Sequence, residues 1–413
     1  MKKKIKKKVF NNLEIKGTYK EIIEHVKSLK IILFTVNARG GSGFFHSLID
    51  SNPEIINMPE IRTQWDYLNN IKNMPVEIVA DRFASRNPEI FNSSLKIIEG
   101  WDTLGIDSNT YVTVDINIFK YHFSELVKHI KINEKNIFLI LHISYWITCN
   151  NDPLLSKVLF YHLHMARDPA EPFIPYGIDY EILHITRDPR IGFVRYQESV
   201  NNNKVIWDIN PNKQVGDILY HSPSRLLANF KSVIEQVQIF RRNKDKLMIF
   251  TLEDLHEKRL NLINKIFRLY GIKELDSEPI STFWGLNWHA DIKSEKSISG
   301  FQEGKRSFNF KRFLNYYDVF LIEFLTYERS NQQGHKTILK LPKTLYYIFS
   351  PIFFIFVILP ISYEMKNLKY EIKNKRFLKI LLNIFYYFKR IIFCWNWLLL
   401  IMKNKILLPK QID

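Results

Sequence analysis

The chain has 413 residues, 46% of them hydrophobic, which is ample for a large core in one α/β domain with additions or in two domains. A formal net charge of +17 points to an anionic partner (nucleotide, nucleic acid, acidic glycan or anionic lipid), although a biased genome accounts equally well for the lysine-rich composition. Two cysteines, Cys149 and Cys394, exclude a disulfide framework and a metal-ligand cysteine spacing.

In chain order, MKKKIKKKVFNNLEIKG opens a basic leader that runs to about residue 30. It has the charge of a secretory signal, but no apolar segment follows, so a cytoplasmic chain is expected. Short apolar runs then alternate with helix-like stretches: IILFTV (31–36), NIFLILHIS (136–144), KVLFYHLHM (157–165), EILHIT (181–186) and KLMIFTL (246–252). The lack of polar alternation suits strands buried on both faces. The pattern predicts a central parallel sheet flanked by helices, in a domain spanning 31–335. The spacing of Leu260, Ile263, Phe267 and Tyr270 predicts a helix over 258–270, with Gly271 as its C-cap.

The first strand runs into VNARGGSGFFHSLIDSNPEI (36–55). A glycine-rich turn between a strand and a helix N-terminus aims backbone N–H groups at one spot, and the helix dipole adds to their pull on an anion. Gly40, Gly41 and Gly43 allow close approach, Ser42 adds a hydroxyl and Arg39 a fixed positive charge. Many glycine turns bind nothing, so the loop alone does not decide. The Gly-Lys pair of a nucleoside-triphosphatase loop and the GxGxxG of a dinucleotide fold are both absent, which disfavours ATP or GTP hydrolysis. Two later stretches stand out: EILHITRDPRIGFVRYQES (181–199), with arginines at a strand end, and LEDL (252–255) ahead of the 258–270 helix.

From about residue 336 the composition changes. TLYYIFSPIFFIFVILPISY (344–363) carries no charge and is just long enough to span a bilayer, but Pro351 interrupts it and Lys343, Lys366 and Lys369 flank both ends. FLKILLNIFYYFKRIIFCWNWLLLIMKNK (377–405) interleaves Lys379, Lys389 and Arg390 with apolar and aromatic residues. This pattern predicts a C-terminal helical membrane-interface region over 336–413, lying on an anionic membrane surface. Packing on the domain or on a second subunit, and a true span, are the alternatives.

Arg39-Gly40-Gly41-Ser42-Gly43, followed by SLIDSNPEI (47–55), resembles the 5′-phosphosulfate loop of sulfotransferases that use 3′-phosphoadenosine 5′-phosphosulfate (PAPS). Ala38, Gly40 and Gly43 stand where that family has proline, serine and threonine. TRDPR resembles the family's 3′-phosphate motif, with Arg195 and Ser199 in exchanged places one helical turn apart. LEDL and the later YGI resemble a largely structural element of the same family. The resemblance covers most of 31–330 and implies a P-loop-like three-layer α/β fold. It implies that PAPS is held by Arg39, Gly40, Gly41, Ser42, Gly43, Phe44, Arg187, Arg195 and Ser199, with Lys305 or Arg306 reaching the 3′-phosphate from a late loop.

The same resemblance implies a catalytic residue set. Arg39 sits where charge builds on the leaving group. Glu60 is the leading general base and Arg62 a substrate residue, as in tyrosylprotein and heparan-type sulfotransferases. His162, or His164, is the rival base, at the place where cytosolic small-molecule sulfotransferases keep a histidine. No metal is needed when arginine and backbone amides carry the charge. The implied acceptor is a hydroxyl, on a glycan or a lipid-linked saccharide, met by an enzyme peripheral to the inner face of a membrane. The rival readings are a P-loop-like nucleotide kinase, and a non-catalytic membrane- or glycan-binding protein with a decayed PAPS site. No nucleic-acid recognition module occurs, so nucleic acid is not an expected partner.

Overall fold

Four of the five expected strands form, and they lie side by side. The computed structural model describes residues 5–36, 41–59, 74–95, 100–163, 178–194, 223–236, 238–289, 310, 314–403, 405, 406, 408 and 410–412. Its main sheet contains β2 (Lys30–Val36), β3 (Ile55–Asn57), β5 (Val158–Leu163), β6 (Glu181–Thr186), β7 (Leu247–Thr251) and β10 (Lys410–Gln411). Their spatial order is β10-β7-β6-β2-β5-β3, and every pairing is parallel. β1 (Lys6–Phe10) and β4 (Thr110–Val114) form a separate parallel pair, and β8 (Thr282–Phe283) and β9 (Leu286–Asn287) a short hairpin. The molecule is an α/β fold with a central parallel sheet between helical layers.

The two faces of the sheet feed two cores, as the two-residue period of a strand requires. Leu33, Ile56, Leu159, Tyr161 and Ile182 point to one core, which the helices Tyr19–Val26, Ile116–Val127 and Glu134–Thr148 close. Phe34, Ile55, Phe160, Leu183 and Phe250 point to the other, under the helices Ser42–Ile49 and Arg259–Leu269. The second of these helices is the one expected over 258–270. It buries Leu262, Ile263, Ile266 and Phe267, each contributing about 1.5–3 kcal/mol. Gly271 follows it at φ 69°, the left-handed conformation that a glycine C-cap supplies.

The run 136–144 is not a strand but the middle of the helix Glu134–Thr148. Asn133 caps it by accepting the Asn136 N–H at 2.9 Å, and it is buried on every side from Ile137 to Thr148. A helix with no solvent face has no amphipathic period, so by pattern it resembles a buried strand.

The C-terminal segment packs into a third core. The uncharged run 344–363 breaks at Pro351 into the helices Lys343–Phe349 and Phe353–Phe356, and Ser362–Lys373 begins at its end. The helix Phe377–Met402 then packs on the helices Pro223–Glu235 and Tyr316–Leu325, and Trp397 Nε1 donates to the Leu325 carbonyl at 2.7 Å. Among the described residues, no helix is long and apolar enough to cross a membrane. Cys149 and Cys394 are buried free thiols.

Candidate functional site

In an open parallel sheet, a crevice forms at the carboxyl edge where connections from two neighbouring strands leave in opposite directions. β2 leads towards β3 on one side and β6 towards β7 on the other, yet β2 and β6 are neighbours, with Val36 level with Ile185. The chain leaving Val36 and the chain leaving Thr186 therefore emerge together. They carry the glycine loop and Arg187.

Gly41 is the N-cap of the helix Ser42–Ile49, at φ 85° and ψ 22°. Two constraints hold this position to glycine. The left-handed backbone disfavours any Cβ, and a Cβ there would sit 2.5 Å from Leu252 Cδ1. The Gly41 carbonyl accepts the amides of both Phe44 and Phe45 at 3.1 Å. Helix geometry leaves the Ser42 and Gly43 amides without an intrahelical acceptor, at the positive end of the dipole. A Cβ on Gly43 would meet only Trp288, at 3.8 Å. Phe44 stacks on His256, with ring centroids 5.0 Å apart, so the start of this helix is held against the helix Leu252–Glu257.

Beyond β6 the sequence Arg187-Asp188-Pro189-Arg190 divides its labour. Arg190 is buried: its Nε donates to Asp188 Oδ1 at 2.9 Å, one Nη to Glu323 and the other to Asp188 and the Lys336 carbonyl. Glu323 also accepts the Ile338 and Leu339 amides, at 3.0 and 2.7 Å. This second arginine anchors the turn. Arg187 is only partly buried.

Glu253, in the first turn of the helix Leu252–Glu257, meets the chain that leaves β6. One carboxylate oxygen accepts the Asp188 amide at 3.1 Å, and the other is buried without a hydrogen-bond partner among the described residues. Burial pushes its pKa up to about 7, assisted by the Asp188 charge and opposed by the backbone donors and the Arg187 charge. Between its ordinary 4.5 and about 7, the folded chain holds a proton that the unfolded chain has lost. Stability therefore falls as pH rises through that window, by about 3 kcal/mol in total. Glu253→Gln keeps an acceptor for the Asp188 amide and is expected to remove this component. Urea unfolding at the two ends of the window, on variant and wild type, measures it.

His162 is buried, one residue before the end of β5. It lies inside β5 opposite Phe34, with its ring buried between Phe34 and His46 and its Nδ1 3.0 Å from His46 Nδ1. It shares a sheet face with Phe160, and the helix Ser42–Ile49 covers that face. This is the environment of a core histidine. The SLIDSNPEI stretch is likewise structural. Asp50 accepts from Thr282 Oγ1 and the Gly285 amide, both at 2.9 Å, and Glu54 from the Lys273 amide at 2.6 Å and Lys157 Nζ at 2.9 Å.

Of the sequence-derived site residues, Gly41, Ser42, Gly43, Phe44 and Arg187 thus gather at one sheet edge, while His162 sits within the sheet. Arg39, Gly40, Glu60, Arg62, His164, Arg195, Ser199, Lys305 and Arg306 lie outside the described residues. Leu252, Glu253 and His256 complete the edge. The LEDL stretch marked Leu252 and Glu253 in the sequence as part of a largely structural element, His256 was not singled out there, and the place of all three depends on β7 being the next strand but one from β2.

No family model and no curated protein matches the chain. Among solved structures, one similar chain is a "Sulfotransferase Domain from the Curacin Biosynthetic Pathway", with a TM-score of 0.34 and 8% identity over 60% of this chain and 76% of that one. A likeness of this size has no bearing on chemistry, which rests on the residues themselves.

Proposed function

We propose that this chain transfers a sulfuryl group from PAPS to an acceptor hydroxyl. The observation that carries the reading is the convergence of Gly41 and the helix Ser42–Ile49 with Arg187 at the β2–β6 crevice. That edge offers one anion-binding point at a helix N-terminus and a second at an arginine, as a nucleotide with phosphates at both ends requires. The motif resemblance of Arg39–Gly43, TRDPR and LEDL selects PAPS among such nucleotides.

In the reaction, the acceptor oxygen bonds to sulfur in line as the bond from sulfur to the bridging 5′-phosphate oxygen breaks. The acceptor proton passes to a base, Glu60 in this reading. The leaving adenosine 3′,5′-bisphosphate keeps the electron pair, and Arg39 and the helix amides stabilise the charge that develops on its 5′-phosphate. A glycan or lipid-linked saccharide is the acceptor class best suited to a chain with so basic a C-terminal region.

Calorimetric titration with adenosine 3′,5′-bisphosphate tests the proposal. Wild type is expected to bind, and Arg187→Ala to bind about 10²-fold more weakly, the value of a charge-assisted hydrogen bond of about 1.5–3 kcal/mol. Absence of binding by the wild type would favour a decayed site. Label transfer from ATP rather than from PAPS would favour a kinase.

A further inference from the structure

The helix Phe377–Met402 is apolar on two sides, and only one of them is covered. Cys394, Trp397, Leu398 and Ile401 are buried in the third core. Roughly 150° around the helix, Leu381, Phe385, Phe388, Ile392, Trp395 and Leu399 recur at alternating four- and three-residue spacings. Each is at least a third exposed, and Phe388 is 56% exposed. The preceding segment widens the stripe. Trp395 Nε1 donates to the Phe354 carbonyl at 2.9 Å and the Tyr387 hydroxyl to the Ile358 carbonyl, which sets the exposed Ile355, Ile358 and Leu359 alongside. Scattered exposed apolar residues are ordinary, but a continuous stripe over two elements is an interaction surface.

Charge selects its occupant. From residue 336 onward the chain carries twelve lysines and two arginines against three acids, Glu364, Glu371 and Asp413. Glu364 is taken by the buried Arg390, whose Nε lies 2.8 Å from it. Lys373, Lys375 and Lys379 stand exposed around the start of the long helix, and Lys389 flanks the stripe, 4.4 Å from the Phe385 ring centroid. A second copy of the chain would bring these cations face to face, whereas anionic headgroups neutralise them. The covered side also fixes the orientation, because the helix cannot turn upright into a bilayer without leaving its core.

We propose that this face docks on an anionic lipid surface, with the helix Phe377–Met402 lying in the interface plane. The apolar stripe enters the acyl boundary and the flanking lysines stay among the headgroups. The inference stands independently of the chemistry at the β2–β6 crevice.

Co-sedimentation of the full chain with phosphatidylcholine vesicles, with and without phosphatidylglycerol, tests it. Wild type is expected to partition at least tenfold more tightly onto the anionic vesicles, and less so as salt rises. Phe388→Glu with Ile392→Glu should abolish partitioning. Lys373→Glu with Lys375→Glu and Lys379→Glu should lower it by about 10²-fold or more. Melting temperatures check that both variants fold, and the lysine variant alone suffices should the apolar one unfold. Equal partitioning onto neutral vesicles, no partitioning, or a wild-type dimer that Phe388→Glu with Ile392→Glu dissociates would each overturn the proposal.

Discussion

Replacing Glu60 by glutamine is expected to lower turnover by about 10²–10⁴-fold, the usual contribution of a general base, while leaving the affinity for adenosine 3′,5′-bisphosphate within about twofold. The expectation rests on position in the sequence and on the burial of the rival. β3 ends at Asn57, three residues before Glu60 in the sequence, and runs in the same direction as β5 and β2. Glutamine preserves shape and hydrogen bonding but cannot take the acceptor proton. His162→Ala supplies the contrast. Its ring fills space between Phe34 and His46, so its removal opens a cavity and should lower the melting temperature more than the rate of the chemical step. Rates of PAPS consumption, measured beside thermal unfolding for both variants, decide between them. Near-wild-type turnover in Glu60→Gln, with loss in a folded His162→Ala, would transfer the role to the histidine.

The largest stability effect is expected at Arg190. Arg190→Met strands two buried carboxylates, Asp188 and Glu323, and should destabilise the chain by about 3–5 kcal/mol. Urea unfolding measures it. Adding Asp188→Asn and Glu323→Gln removes the stranded charges, so this triple variant should recover a large part of the loss. Burial alone would raise the Asp188 pKa, but the hydrogen bonds and charge of Arg190 hold it below the usual carboxylate range. Its stabilising contribution is therefore present above its ordinary 3.8 and is lost as pH falls through the lower folded value. The same network sets the turn that presents Arg187. Where the single variant still folds, it should also bind adenosine 3′,5′-bisphosphate more weakly, although Arg190 faces away from the crevice into the protein. A variant as stable as wild type would show that the network does not support the turn.

Much of this arrangement was legible in the order of residues. Continuous apolar runs at 31–36, 157–165, 181–186 and 246–252 read as strands buried on both faces, because they lack polar alternation, and they form neighbouring strands of the parallel sheet. Local chemistry also marked Gly41, where a strand must turn into a helix, and Gly271, where a helix must stop. Three things needed the tertiary structure. The run 136–144 became a helix because Asn133 caps it and the first core encloses it, and burial on all sides erases the period that separates helix from strand. His162 became buried because the helix Ser42–Ile49 lies over the sheet face that its alternation selects. The placing of Glu253 against Asp188, and of Leu252 against Gly41, depends on strand order. Val36 comes level with Ile185 only because β2 pairs with β6, and Asp188 meets Glu253 only because β6 pairs with β7; hydrophobic pattern along a strand specifies which faces are buried but not which strand lies alongside.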